Sequence, residues 1–184
     1  MDLNDQTLQI LLEEYKVLKA EQSKRIGFRD NLLYVTLGLF GAIVSFAIAS
    51  SQGHYAFLII PWICLVMGWT YVVNDEKISA IGRYIRGPLN KRVCSLMGAD
   101  ADNEDFFGWE IAHRDDPYRK SRKRLQLLID EITFVLSGIA ALLIFCLLTS
   151  QISTPFIVLI TIEVLLLLGL GIKIVIYADL AKGR

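Results

Sequence analysis

Apolar residues gather in four runs, 32–50, 55–73, 127–149 and 155–177, and the stretches between them are polar. A helix needs roughly 17–25 apolar residues to cross about 30 Å of hydrocarbon, and each run reaches that length. Only a few residues join the first run to the second and the third to the fourth. The pattern predicts an all-α fold, a four-span transmembrane helical bundle of two hairpins. It divides the chain into a polar N-terminal helix (1–31), a first transmembrane hairpin (32–73), a polar middle segment (74–126), a second hairpin (127–177) and a tail (178–184).

The polar stretches have periods of their own. Leu8, Leu11, Leu12, Tyr15 and Leu18 recur at helical spacing, which predicts an amphipathic helix over 6–26. Such a helix packs on the rest of the polar region or on a second copy. Its narrow stripe and mixed-sign polar face suit a bilayer surface less well. Ile78, Ile81 and Ile85 prolong the second run, so that span should extend about three turns beyond the membrane until Gly87-Pro88 ends it. A short helix over 89–97 should follow. Pro61 should bend or locally open the second span. Asp116-Pro117 reads as a helix start, with Asp as cap and Pro at the first position, and the chain then runs into the third span. The N-terminal helix and the extensions of spans 2 and 3 together should form a helical cytoplasmic domain.

Charge changes the picture by its placement. Nineteen Lys and Arg balance nineteen Asp and Glu, so no overall attraction to nucleic acid or acidic lipid is implied. Five of the basic residues precede the first run, eleven lie between the hairpins and three lie near the C-terminus, while the two short links have none. The positive-inside rule then places both termini and the middle segment in the cytoplasm. No cleavable leader is expected, because the first apolar run starts only near residue 32. Cys64, Cys94 and Cys146 are too few for a disulfide framework and should remain thiols.

Candidate chemistry is sparse. Gly38 with Ala42, and Gly41 with Ser45 and Ala49, form small rows on the first span; Gly138 and Ala141 do so on the third. Small rows let helices approach closely in lipid. Arg29 and Asp30, at the membrane boundary, can pair, bind headgroups or simply anchor. Glu163 is the ionisable side chain well inside an apolar run, where a carboxylate is costly unless paired, protonated or wet. Three roles fit it: lining an aqueous path, carrying a proton, or bridging helices as a neutral acid. It lies nearer the outer end of its span, so water from that side is its easier access.

Trp109, His113, Arg114, Tyr118, Arg119 and Arg122 form a candidate polar-aromatic surface for an anion or nucleotide. Salt bridges to the nearby Asp100, Asp102, Glu104 and Asp105 explain the same residues. Phe106, Phe107 and Trp109 read either as a small buried core or as a platform for a planar ligand. The basic run from Arg119 to Arg124 fixes orientation, or binds lipid headgroups or phosphates. His113-Arg114-Asp115 begins like a kinase catalytic loop but lacks its downstream Asn. With no phosphate-loop, nucleophile-elbow or metal-ligand spacing, neither an enzyme nor a metal or other cofactor is expected.

The layout, together with the stretches Lys24-Arg25-Ile26-Gly27-Phe28-Arg29-Asp30-Asn31, Asn74-Asp75-Glu76-Lys77 and Phe107-Gly108-Trp109-Glu110, resembles small multi-span membrane effectors of bacterial phage-defence systems. That resemblance is architectural. It implies a multi-pass protein of the bacterial inner membrane that assembles into a homo-oligomeric pore under control of a nucleotide or oligonucleotide. Two alternatives stand beside it. One is a non-conducting anchor that recruits a soluble protein partner through residues 74–126. The other is a small proton-coupled transporter using Glu163.

Overall fold

Backbone in hydrocarbon finds no water to bond, so a spanning segment must close its hydrogen bonds internally, as a helix does. The computed structural model describes residues 3–50, 52–98, 106–109, 112 and 117–178, and its regular elements among them are all helical. They are α1 (Leu3–Ala49), α2 (Ile60–Tyr84) after a 3-10 lead (Gly53–Ile59), α3 (Asn90–Met97), α4 (Arg119–Glu131), α5 (Ser137–Leu148) and α6 (Thr154–Tyr177). A π-helical turn, Ile85–Leu89, joins α2 to α3, and another, Ile132–Leu136, joins α4 to α5. The resulting continuous helices, Leu3–Ala49, Gly53–Met97, Arg119–Leu148 and Thr154–Tyr177, are each long and apolar enough to cross a membrane.

Four local expectations change. The helix expected over 6–26 and the first span are one uninterrupted helix of 47 residues. The lone Gly27 between them costs a helix only about 1 kcal/mol, too little to break it. Pro61 does not open a helix interior. It lies in the first turn of α2, after the 3-10 lead, where a missing amide hydrogen breaks no intrahelical bond. Gly87-Pro88 does not end the second helix either. The π turn takes up the proline: the Asn90 N–H donates to Ile85 O five residues back, and Ile85 and Leu89 are wholly buried on either side. The helix ends at Met97, where Gly98 takes the left-handed conformation (φ 65°) that favours glycine. Asp116 lies outside the described residues, and α4 begins at Arg119, with the Arg122 N–H donating to Tyr118 O at 3.0 Å.

Two apolar clusters hold these helices. The larger centres on α2, where Cys64, Phe134, Phe145 and Leu167 are wholly buried and Leu32, Tyr71, Leu142 and Leu170 join them. Close approach here depends on glycine. A Cβ at Gly68 would sit 2.8 Å from Leu170 Cδ2, and one at Gly138 would sit 2.8 Å from Leu167 Cδ1. At the end nearest the short links, Tyr55, Phe145 and Phe156 pack ring against ring at 5.6–5.9 Å. The smaller cluster lies at the opposite end. Leu11 of α1 meets Ile85, Leu89, Val93 and Phe107, and Leu8, Tyr15, Leu18 and Ile81 surround them. Phe107 stacks on Tyr15 at 4.6 Å. The stripe read on the N-terminal helix is this packed face, except that Leu12 is exposed.

Candidate functional site

Between the two apolar clusters the helices present polar side chains to one another. Contacts pair Glu14 with Tyr84, Gln22 with Ile78 and Arg29 with Asp75, the numbers rising on α1 as they fall on α2. Asp75 is the buried centre of this belt. Arg29 Nη1 donates to its Oδ1 at 2.7 Å, and Lys123 Nζ of α4 donates to its Oδ2 at 3.4 Å. The Nε and Nη2 of Arg29 donate instead to Asp30 Oδ1, at 3.1 and 2.9 Å. Burial alone would lower the Arg29 guanidinium, but its bonds to Asp75 and Asp30 outweigh that and hold it above the ordinary arginine value. The guanidinium also lies 6.0 Å from the centre of the Tyr71 ring, whose hydroxyl accepts a bond from Gln126 Nε2 at 2.9 Å. Next to it, Arg25 Nη1 donates to Asn74 Oδ1 at 3.2 Å.

Above this belt opens a cleft of about 500 Å³. Lys19, Gln22, Ile26 and Arg29 of α1 form one wall. Asp75, Ile78, Ser79 and Gly82 of α2, with Arg86 of the π turn, form the floor. Arg119, Arg122, Lys123 and Gln126 of α4 form the other wall, and Trp109 lies at its edge, 73% exposed. Six cationic side chains thus face one carboxylate, Asp75, among the described residues that line the cleft. Lys19, Arg86, Arg119 and Arg122 each make interactions of their own, and Arg29 and Lys123 hold Asp75. The volume falls within the roughly 300–1,000 Å³ typical of small-molecule sites.

Three residues of the surface read from the sequence, Trp109, Arg119 and Arg122, come together here. Tyr118 is largely exposed and is not among the lining residues. His113 and Arg114 lie outside the described residues. Sequence reasoning missed Lys19 and Arg86, and read Arg29 only as a membrane-boundary residue and Lys123 only as part of the basic run from Arg119 to Arg124. The signal was present: Lys19, Gln22, Ile26 and Arg29 are spaced to share one helical face, as are Asp75, Ser79, Gly82 and Arg86. Each of these polar faces adjoins the stronger apolar stripe of its helix.

Glu163 is wholly buried and does not line the cleft. The Trp62 indole is near enough to act on it, yet among the described residues neither Glu163 oxygen has a hydrogen-bond partner. Asp130 Oδ1 and Glu131 Oε1 also have no hydrogen-bond partner among the described residues, and Glu131 Oε2 would lie 3.1 Å from a Cβ at Gly171. The small residues divide into two sets. Gly138 and Ala141 are buried inside the chain, whereas Gly38, Gly41, Ala42, Ser45 and Ala49 are exposed on α1, with no atom near enough to Gly38 or Gly41 to meet an added Cβ.

No protein-family model matches the sequence, and searches of curated proteins and of solved structures return no match.

Proposed function

We propose that this chain is a homo-oligomeric channel-type effector of a bacterial inner membrane, gated by a phosphate-bearing ligand that enters the cleft from the cytoplasm. A nucleotide or oligonucleotide signal in antiviral defence is the ligand class that fits this reading. The observation that carries it is the cleft itself: six cations on α1, α4 and the end of α2 converge on a volume suited to a small anion. Phosphate is the anion that such a set of arginines and lysines holds best.

Transmission follows from continuity. The helices that wall the cleft are the polar ends of three of the four long apolar helices, Leu3–Ala49, Gly53–Met97 and Arg119–Leu148. A ligand that binds one spacing of these walls better than another shifts the equilibrium between the two. Two hairpins enclose no wide lumen, so the path forms between copies, and the outward Gly38, Gly41 and Ser45 face of α1 suits close contact with a neighbour. The excess of Lys and Arg in the middle segment supports a cytoplasmic cleft, with both termini on the same side. The protein acts as receptor and conduit, with no reaction to catalyse and no cofactor.

A second reading rests on Glu163. A buried carboxyl with no hydrogen-bond partner in ordinary geometry among the described residues, inside an apolar helix, suits a proton-coupled transporter. A scaffold for a soluble partner is the third reading.

Reconstitution separates them. Vesicles containing the protein and an ion-sensitive dye are exposed to a panel of mono-, di- and oligonucleotides. The expected result is an ion flux that one class of nucleotide turns on or off, and that Arg119→Ala with Arg122→Ala abolishes. Flux no different from that of protein-free vesicles under every nucleotide contradicts the channel and favours the scaffold. Flux that requires a proton gradient and is lost in Glu163→Gln favours the transporter.

A further inference from the structure

We propose that Asp75 is a built-in stand-in for the ligand's phosphate, a latch that holds the cleft in its ligand-free spacing and is displaced when the anion binds. The proposal rests on the anion-cleft reading above and adds how that site is regulated.

Three observations support it. Asp75 is buried on the floor of the cleft, and its two oxygens are divided between opposite walls, Oδ1 to Arg29 of α1 and Oδ2 to Lys123 of α4. Both cations also line the cleft, so the groups that would hold an incoming phosphate are the groups Asp75 already holds. Lastly, Arg29 divides its donors. Nε and Nη2 serve Asp30, and Nη1, facing Asp75, is the arm whose exchange costs the fewest bonds.

A carboxylate offers acceptors of the same kind as a phosphate but fewer of them and less charge. A di- or triphosphate brought against these walls therefore competes for Arg29 Nη1 and Lys123 Nζ. When they transfer, the tie from α1 through α2 to α4 passes from Asp75 to the ligand, whose larger size sets a new spacing. The empty state is satisfied by internal bonds, and the bound state is satisfied by the ligand. Binding is accordingly weakened by what the Asp75 bonds were worth.

The test is isothermal titration calorimetry of the full chain in detergent with inorganic pyrophosphate as the probe. Asp75→Asn keeps the shape and removes the competing charge. Hydrogen bonds to charged groups are worth enough that its affinity should exceed the wild type's by about 10- to 100-fold. Asp75→Glu restores the charge and should return the affinity toward the wild-type value. A purely structural role for Asp75 lowers the melting temperature of Asp75→Asn without raising its affinity. Equal or weaker pyrophosphate binding by a helical Asp75→Asn protein overturns the latch and leaves the cleft reading standing. Absence of pyrophosphate binding in wild type and Asp75→Asn alike overturns the cleft reading, and the latch with it.

Discussion

Arg29 and Asp75 stand 46 residues apart in sequence and 2.7 Å apart in space, joining α1 to α2 where the polar belt meets the larger apolar cluster. Removing one partner of a buried ion pair costs more than the pair contributes, because the other charge is stranded. Lys123 partly relieves Asp75. Arg29→Ala should therefore destabilise the fold by about 1.5–3 kcal/mol, the range for hydrogen bonds to charged groups. Melting in detergent followed by circular dichroism checks this. Arg29→Lys should fall between the variant and the wild type.

The two sets of small residues should respond oppositely to enlargement. Gly68→Ala places its Cβ against Leu170 and Phe134, and overpacking of this kind costs about 1–3 kcal/mol. A Cβ at Gly41 has no neighbouring element within 4 Å, so melting of the isolated Gly41→Leu subunit should stay near the wild-type value while the number of subunits falls. Size-exclusion chromatography with light scattering measures the second effect. An unchanged assembly for Gly41→Leu removes this face of α1 from the proposed interface.

Tyr84 donates to Glu14 at 2.7 Å, and this bond, with a smaller effect of burial, holds its phenol above the ordinary value near 10. A group whose folded pKa is raised stabilises the fold fully below its unfolded pKa and ceases to do so as pH rises through the folded value. The tie between α1 and the end of α2 should thus persist through neutral pH and be lost only above pH 10. Ultraviolet titration of phenolate absorbance checks it: Glu14→Gln should shift one tyrosine to a lower midpoint, and Tyr84→Phe should remove that component.

How much of this was readable in advance depends on distance along the chain. The stripe of Ile78, Ile81 and Ile85 fixes the inner face of the second helix, since its period is local, and Ile85 is indeed wholly buried. The effect of a proline depends on its register. Pro61 falls at a helix start and Pro88 in a π turn, and neither register is visible in the local pattern. The Arg29–Asp75–Lys123 triad was not readable, because it depends on the axial offset of three helices that no local period reports. Trp109, Arg119 and Arg122 were found because aromatic and basic residues cluster within one short stretch. Lys19 and Arg86 were not, because each stands alone among ordinary surface charges.

Glu163→Gln exchanges one buried polar group for another of the same shape. With no hydrogen bond to lose among the described residues, the fold should survive it. In the channel reading the ion flux through reconstituted vesicles should change. A flux identical to that of wild type assigns Glu163 to helix packing alone.

Several copies should assemble around a site for a phosphate-bearing ligand. Native mass spectrometry of protein gently extracted from membranes tests both parts at once. The expected spectrum shows a defined oligomer whose subunits retain a nucleotide-sized adduct, or take one up from an added nucleotide panel, and lose it in Arg119→Ala with Arg122→Ala. A clean monomer that takes up no nucleotide at any concentration would contradict the account.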